Sequence, residues 1–195
     1  MNKELSTPIG LSASRTALPA GLRILGTVVA GSIFLAVCAH VSIPLWFTPV
    51  PLSLQPFGVL LIGLLLAPRL AAATLLAYLA EGAVGLPVFA PGLAGIAHLL
   101  GPTGGYLMAY PAAAFLISCL RQNGPQRFAV SLAAAALGDL LILACGTLWL
   151  ASRTHTSLTT AASLAALPFL PGDALKVSAA SGLSAGWRRI RRQTN

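Results

Sequence analysis

The chain has 195 residues, of which 56% are hydrophobic and only 8% charged, with a formal net charge of +8. A soluble domain carries roughly 25% charged residues, so a water-soluble enzyme, a disordered chain and a disulfide scaffold all fit poorly. Six helices of ~20 apolar residues would consume roughly 120 residues and leave only short loops and tails. Residues 1–195 therefore read as a single all-α integral membrane domain, with a cytoplasmic tail over 1–21 and a basic cytoplasmic tail over 188–195.

The segment preceding the first apolar run holds Lys3, Arg15 and Arg23, and Leu35-Ala36-Val37-Cys38 has the outline of a lipoprotein cleavage site. Val37 is too large to precede a processed cysteine and the apolar run continues to Pro44, so a membrane helix is expected here, not a cleaved leader. Helix 1 is expected over residues 22–40, followed by a Pro-rich connection over 43–51 that cannot be regular helix. Helix 2 is expected over 54–67, a tight corner at Pro68-Arg69, and helix 3 over 70–81. Residues 82–102 form a Gly- and Pro-rich loop without a single Lys, Arg, Asp or Glu. Helix 4 is expected over 104–120, helix 5 over 128–150, and helix 6 over 158–187 with interruptions at Pro168 and Pro171-Gly172. Cys38, Cys119 and Cys145 lie within apolar runs without metal-ligand spacing and read as small packing residues.

The basic residues orient this arrangement. With the N-terminus inside, Lys3, Arg15, Arg23, Arg69, Arg121, Arg127, Arg188, Arg189, Arg191 and Arg192 are all cytoplasmic, against Arg153 alone outside. That asymmetry is a topology signal, not a nucleic-acid footprint. It places loops 1 and 3 on the outer face of a bacterial-type cell membrane, where loop 3 is too long and too apolar for a plain connector. A lid folded back over the bundle is expected.

Helix rise, ~1.5 Å per residue, places the intramembrane polar groups. Glu81 comes out ~18 Å above the cytoplasmic border, Gln55 ~20 Å, Asp139 ~18 Å, Lys176 ~17 Å and Asp173 ~21 Å, all just past the midplane of a ~30 Å core. A charge at that depth costs about 2.5–3.5 kcal/mol on insertion scales. Pairing for stability alone is one reading, and Asp173 and Lys176 have the i,i+3 spacing for it; four ionisable groups and a glutamine at one level favour a polar cavity. Asp139 is its least secure member. Asp173 is expected to N-cap the second half of a helix broken at Pro171-Gly172, as in membrane helices that open around a site. Tyr78 lies three residues before Glu81 and is expected to share its face.

No phosphate-binding loop of the G-x-x-x-x-G-K-[ST] type is present, nor H-E-x-x-H, G-x-S-x-G or GxGxxG. No metal site or cofactor is expected, and His40 and His98 stand alone as structural residues. A repeated charged ring for a channel is likewise missing.

Six blocks in order along the chain carry a family likeness: Ile43-Pro44-Leu45, Pro49-Val50-Pro51-Leu52-Ser53-Leu54-Gln55, Gly82-Ala83-Val84-Gly85-Leu86-Pro87-Val88-Phe89-Ala90, Gly101-Pro102-Thr103-Gly104-Gly105-Tyr106, Gly146-Thr147-Leu148-Trp149-Leu150, and Pro168-Phe169-Leu170-Pro171-Gly172-Asp173-Ala174-Leu175-Lys176. They resemble BioY, the biotin-specific substrate-binding (S) component of energy-coupling-factor (ECF) transporters. Ser53, Pro91 and His40 depart from the family's usual Thr, Gly and Gln. The resemblance implies a six-helix S-component fold whose loops 1 and 3 close an outward-facing biotin site. It implies a non-enzymatic role in biotin uptake, with an ECF membrane coupling protein and an ATPase pair as partners; self-association is left open. Asp173, Lys176, Gln55 and Glu81 map onto ligand positions. Tyr78 and Tyr106 are further candidates, while Phe89 and Trp46, with Leu86 and Val88, would cover the apolar parts of the ligand. The small faces Gly26-x-x-x-Ala30 and Ser32-x-x-x-Ala36 on helix 1 are candidates for partner contact or for internal packing. An S component for a different vitamin, a structural membrane protein without ligand, and a membrane enzyme are the competing readings, the last the weakest.

Overall fold

Pro19, Pro68 and Pro102 stand at or just before the starts of three of the long helices. A computed structural model describes residues 19–92, 94–124 and 127–193; most of the expected N-terminal tail, with Lys3 and Arg15, lies outside them, as do the side chains of Arg191 and Arg192. Six long helices follow: α1 (Ala20–His40), α2 (Gln55–Leu65), α3 (Pro68–Ala83), α5 (Gly104–Asn123), α6 (Phe128–Thr154) and α8 (Leu170–Gln193). Two short ones, α4 (Ile96–Leu99) within loop 3 and α7 (Leu158–Ala165), were not expected as separate elements. A two-residue antiparallel ladder closes loop 1, pairing Ser42 with Ser53 and Ile43 with Leu52 between β1 (Ser42–Ile43) and β2 (Leu52–Ser53).

The expected sixth helix is thus two. α7 ends where Ala166 leaves helical geometry (φ −128°, ψ −59°), and α8 starts anew at Leu170. Pro171 and Gly172 do not break it, because the first turn of a helix needs no N–H donor from a proline. Asp173 is consequently not an N-cap: its N–H already donates to Phe169 O at 2.8 Å, inside the first turn.

Glycine lets the helices approach closely. Gly138 lies against Ile117, Gly146 against the Tyr106 ring, and Gly105 against Trp149, and at each a Cβ would overlap its neighbour. These contacts lock α5 to α6 along much of their length, as small residues do between membrane helices. α5 also packs on α2 and α3, so it is the post around which the bundle is built. The outer face of α1 carries Leu22, Ile24, Leu25, Val29, Ile33 and Val37, all exposed. A stripe of that size would be an aggregation hazard in water and is a natural lipid-facing surface. α1 and α6 are each long and apolar enough to cross a bilayer.

Alternating helices put like ends together. Ser118 of α5 donates to Leu66 O at 2.6 Å, and Arg188 Nη2 of α8 donates to Ser131 Oγ of α6 at 3.0 Å. Arg23, Arg69, Arg121, Arg127, Arg188 and Arg189 therefore share one end of the bundle, while loops 1 and 3 occupy the other.

Candidate binding site

At the loop end, a small cavity of about 40 Å³ opens between α2, α5, α6 and α8. Val50 and Pro51 of loop 1, Leu107 of α5, Ile142 and Leu143 of α6, and Phe169 form its apolar walls. Gln55, Tyr106, Tyr110, Asp139, Asp173 and Lys176 bring polar groups to it. Four of the five groups placed at one depth by helix rise, namely Gln55, Asp139, Asp173 and Lys176, do converge here.

Each has a local reason for its position. Asp173 and Lys176 stand one turn apart on α8, and Lys176 Nζ donates to Asp173 Oδ1 at 2.8 Å. Both are buried, at 3% and 8% exposure, so the pair is held without solvent screening. Lys176 retains two further N–H donors beyond that bond. Gln55 opens α2: its Nε2 donates to Tyr78 OH at 2.8 Å, and its Oε1 accepts from Ser53 Oγ at 3.3 Å. Tyr78 OH in turn donates to Val88 O at 2.9 Å. The fully buried Tyr78 is therefore a brace that ties α2, α3 and loop 3, standing behind the cavity wall instead of lining it. Tyr106 lines the cavity and donates its O–H to Ala165 O, tying α5 to the end of α7.

Loop 3 forms a lid. Phe89 inserts beside Tyr78, edge to face at 5.4 Å between centroids, and stacks on His98 at 5.0 Å. Gly82 makes the socket, since a Cβ there would collide with the Phe89 ring. Gly95 precedes α4 at φ 62° and ψ −146°, a conformation only glycine adopts easily, and so turns His98 toward the cavity. At the far end of the lid, Trp149 Nε1 donates to Gly101 O at 2.8 Å. His98 was read from sequence as a lone structural histidine; the one visible signal was a polar ring in a loop otherwise free of charge.

Other candidates fall elsewhere. Glu81 accepts from Ser32 Oγ on α1 and does not reach the cavity. Residues three apart on a helix differ by ~60° in direction, enough for Tyr78 to face the bundle while Glu81 meets α1. Phe89 supports the lid from behind His98 instead of lining the cavity. Trp46 is 96% exposed at the tip of loop 1, its ring edge-on to Phe47. Leu86 is also exposed. Ser32 is buried and Ala36 half-buried, so that face of α1 points inward, whereas Gly26 and Ala30 are exposed. Among the described residues, no three His, Cys, Asp or Glu side chains gather as metal ligands.

A family model described as the BioY family matches residues 9–193. The chain belongs to the BioY family. It is 44% identical to the probable biotin transporter BioY of Pyrococcus horikoshii over 68% of this chain and 76% of that protein. With the biotin transporter BioY of Thermotoga maritima it shares 37% identity, over 75% of this chain and 85% of the relative. Its fold is similar to the crystal structure of the S-component for biotin from an ECF-type ABC transporter, with TM-score 0.81, 29% identity, and coverage of 89% of this chain and 95% of the other. Viewed as a BioY protein, the chain keeps its recognisable blocks for the site: Pro49–Gln55, Gly101–Tyr106 and Pro168–Lys176 each supply cavity walls.

Proposed function

We propose that this chain captures biotin at the outer face of the cell membrane as the substrate-binding component of an ECF-type transporter. The observation that carries this is a buried ion pair, Asp173–Lys176, set in a mostly apolar cavity beneath two loops. Small-molecule sites have this composition, mostly apolar wall with a few convergent polar anchors. Biotin matches it: a ureido group with N–H donors and a carbonyl, an apolar sulfur ring and chain, and a carboxylate. The spare donors of Lys176 suit one of the ligand's oxygens, and Val50, Leu107, Ile142 and Phe169 suit its apolar rings. With the lid down, the cavity is too small for a bicyclic acid with a side chain, so loop 3 must lift for entry and reseat afterwards. The chain acts here as a carrier subunit, not an enzyme.

Supporting the orientation, six described arginines share the end opposite the lid, which the positive-inside rule assigns to the cytoplasm with both termini. The exposed Gly26-x-x-x-Ala30 face of α1 suits contact with a membrane coupling protein that in turn engages an ATPase pair.

The test is direct binding of biotin to the detergent-solubilised protein, with thiamine and riboflavin as competitors. Saturable biotin binding that neither competitor displaces is expected. Lys176→Ala leaves Asp173 buried without its counter-charge and is expected to weaken binding at least ~10-fold. Displacement by another vitamin, or no saturable binding, would overturn the assignment.

A further inference from the structure

Several polar groups at the cavity are engaged with the chain itself. Gln55 uses its amide on Tyr78 and receives Ser53, Tyr106 is committed to Ala165 O, and Asp173 holds Lys176. Asp139 stands apart as a buried acceptor left unpaired. It projects from α6 into the cavity wall opposite α8, is 6% exposed, and its Oδ1 is buried with no hydrogen-bond partner in the chain. A buried carboxylate oxygen that accepts nothing is costly, and the cost is removed by any N–H or O–H donor brought to it. The α6 positions one turn away toward the cavity are the apolar Ile142 and Leu143; the Tyr110 hydroxyl of α5 and the spare donors of Lys176 line the same cavity, yet neither bonds Asp139 Oδ1.

We propose that Asp139 Oδ1 is the acceptor for one of the two ureido N–H groups of the ligand, and thereby a specificity-determining residue of the site. This rests on the biotin reading above and sharpens it. Asp173 and Lys176, already neutralised against each other, hold an oxygen-bearing part of the ligand, while Asp139 tests for a hydrogen on nitrogen. A site built around an acceptor rejects an isostere that presents a lone pair instead, far more strongly than an apolar pocket rejects a misfit.

The experiment compares biotin with two cyclic carbamate analogues, each replacing one ureido N–H by oxygen at nearly unchanged volume. Wild type, Asp139→Asn and Asp139→Ala are measured in detergent. Wild type is expected to bind biotin and to lose about 100-fold in affinity for one of the two analogues, where two acceptors would meet. In Asp139→Ala that discrimination should collapse to within ~3-fold, although absolute affinities fall. Should the alanine variant fail to fold, Asp139→Asn decides: its amide can turn to donate to the ring oxygen, so the preference for biotin over that analogue should shrink at least ~10-fold. Equal discrimination in wild type and both variants would overturn the inference while leaving biotin capture intact. Wild type that does not bind biotin would overturn the proposed function and this inference with it.

Discussion

Loops 1 and 3 lie at the same end of the molecule, both rich in proline and both tipped with aromatic residues, yet only one buries its aromatic side chain. Phe89 of loop 3 is 5% exposed, while Trp46 of loop 1 is 96% exposed. The difference lies in what receives them. Loop 3 meets a socket at Gly82, a ring face on His98 and a hydrogen bond from Tyr78 to Val88 O. Loop 1 is fastened at its base, by the β1–β2 ladder and by Leu54 N–H donating to Val41 O at 3.1 Å, and its tip has no socket. It contributes Val50, Pro51 and Ser53 to the cavity and leaves Trp46 at the border, where an aromatic ring sits well between lipid and water. One loop is thus a wall and the other a lid.

Three substitutions can break or sharpen this contrast. The largest effect is expected from Gly82→Leu, which fills the socket and expels Phe89 from the core. Affinity for biotin should fall by ~100-fold or more, and loop 3 should become cleavable by added protease, as overpacked sites relieve strain by displacing a neighbour. Tyr78→Phe comes next. It strands Gln55 Nε2 and Val88 O, a loss of about 1–3 kcal/mol, so equilibrium binding should weaken ~10-fold with most of the change in the dissociation rate. Trp46→Ala should be smallest, with affinity within ~2-fold of wild type, since exposed positions without partners rarely matter. A large loss for Trp46→Ala in a binding titration would mean that loop 1 closes over the ligand as loop 3 does.

Much of the fold was legible because its causes are local. The start of α5 at Gly104, the corner at Pro68, and the residue spacing that sets Gln55, Asp139, Asp173 and Lys176 at one level all follow from proline chemistry and helix rise. Depth is fixed by residue count, but facing is not. Glu81 turns to Ser32 on α1, and no local pattern says which neighbour α3 will present there. Pro171-Gly172 misled in the opposite way: a helix-breaking dipeptide is harmless in a first turn, and only the break at Ala166 reveals that α8 begins at Leu170. Tyr78 was identified as a site residue, but its role as a brace depends on Val88, which the lid brings to it from ten residues away. His98 faces the cavity for the same reason, since its position depends on the turn at Gly95.

The brevity of α2 has a consequence for transport distance. With 11 residues it is ~16 Å long, about half the ~30 Å hydrocarbon thickness, and the cavity sits at its first residue. The two-residue ladder above it pairs backbone groups of loop 1 with each other. A molecule seated beside Gln55 would therefore lie about a third to a half of the way across the hydrocarbon layer.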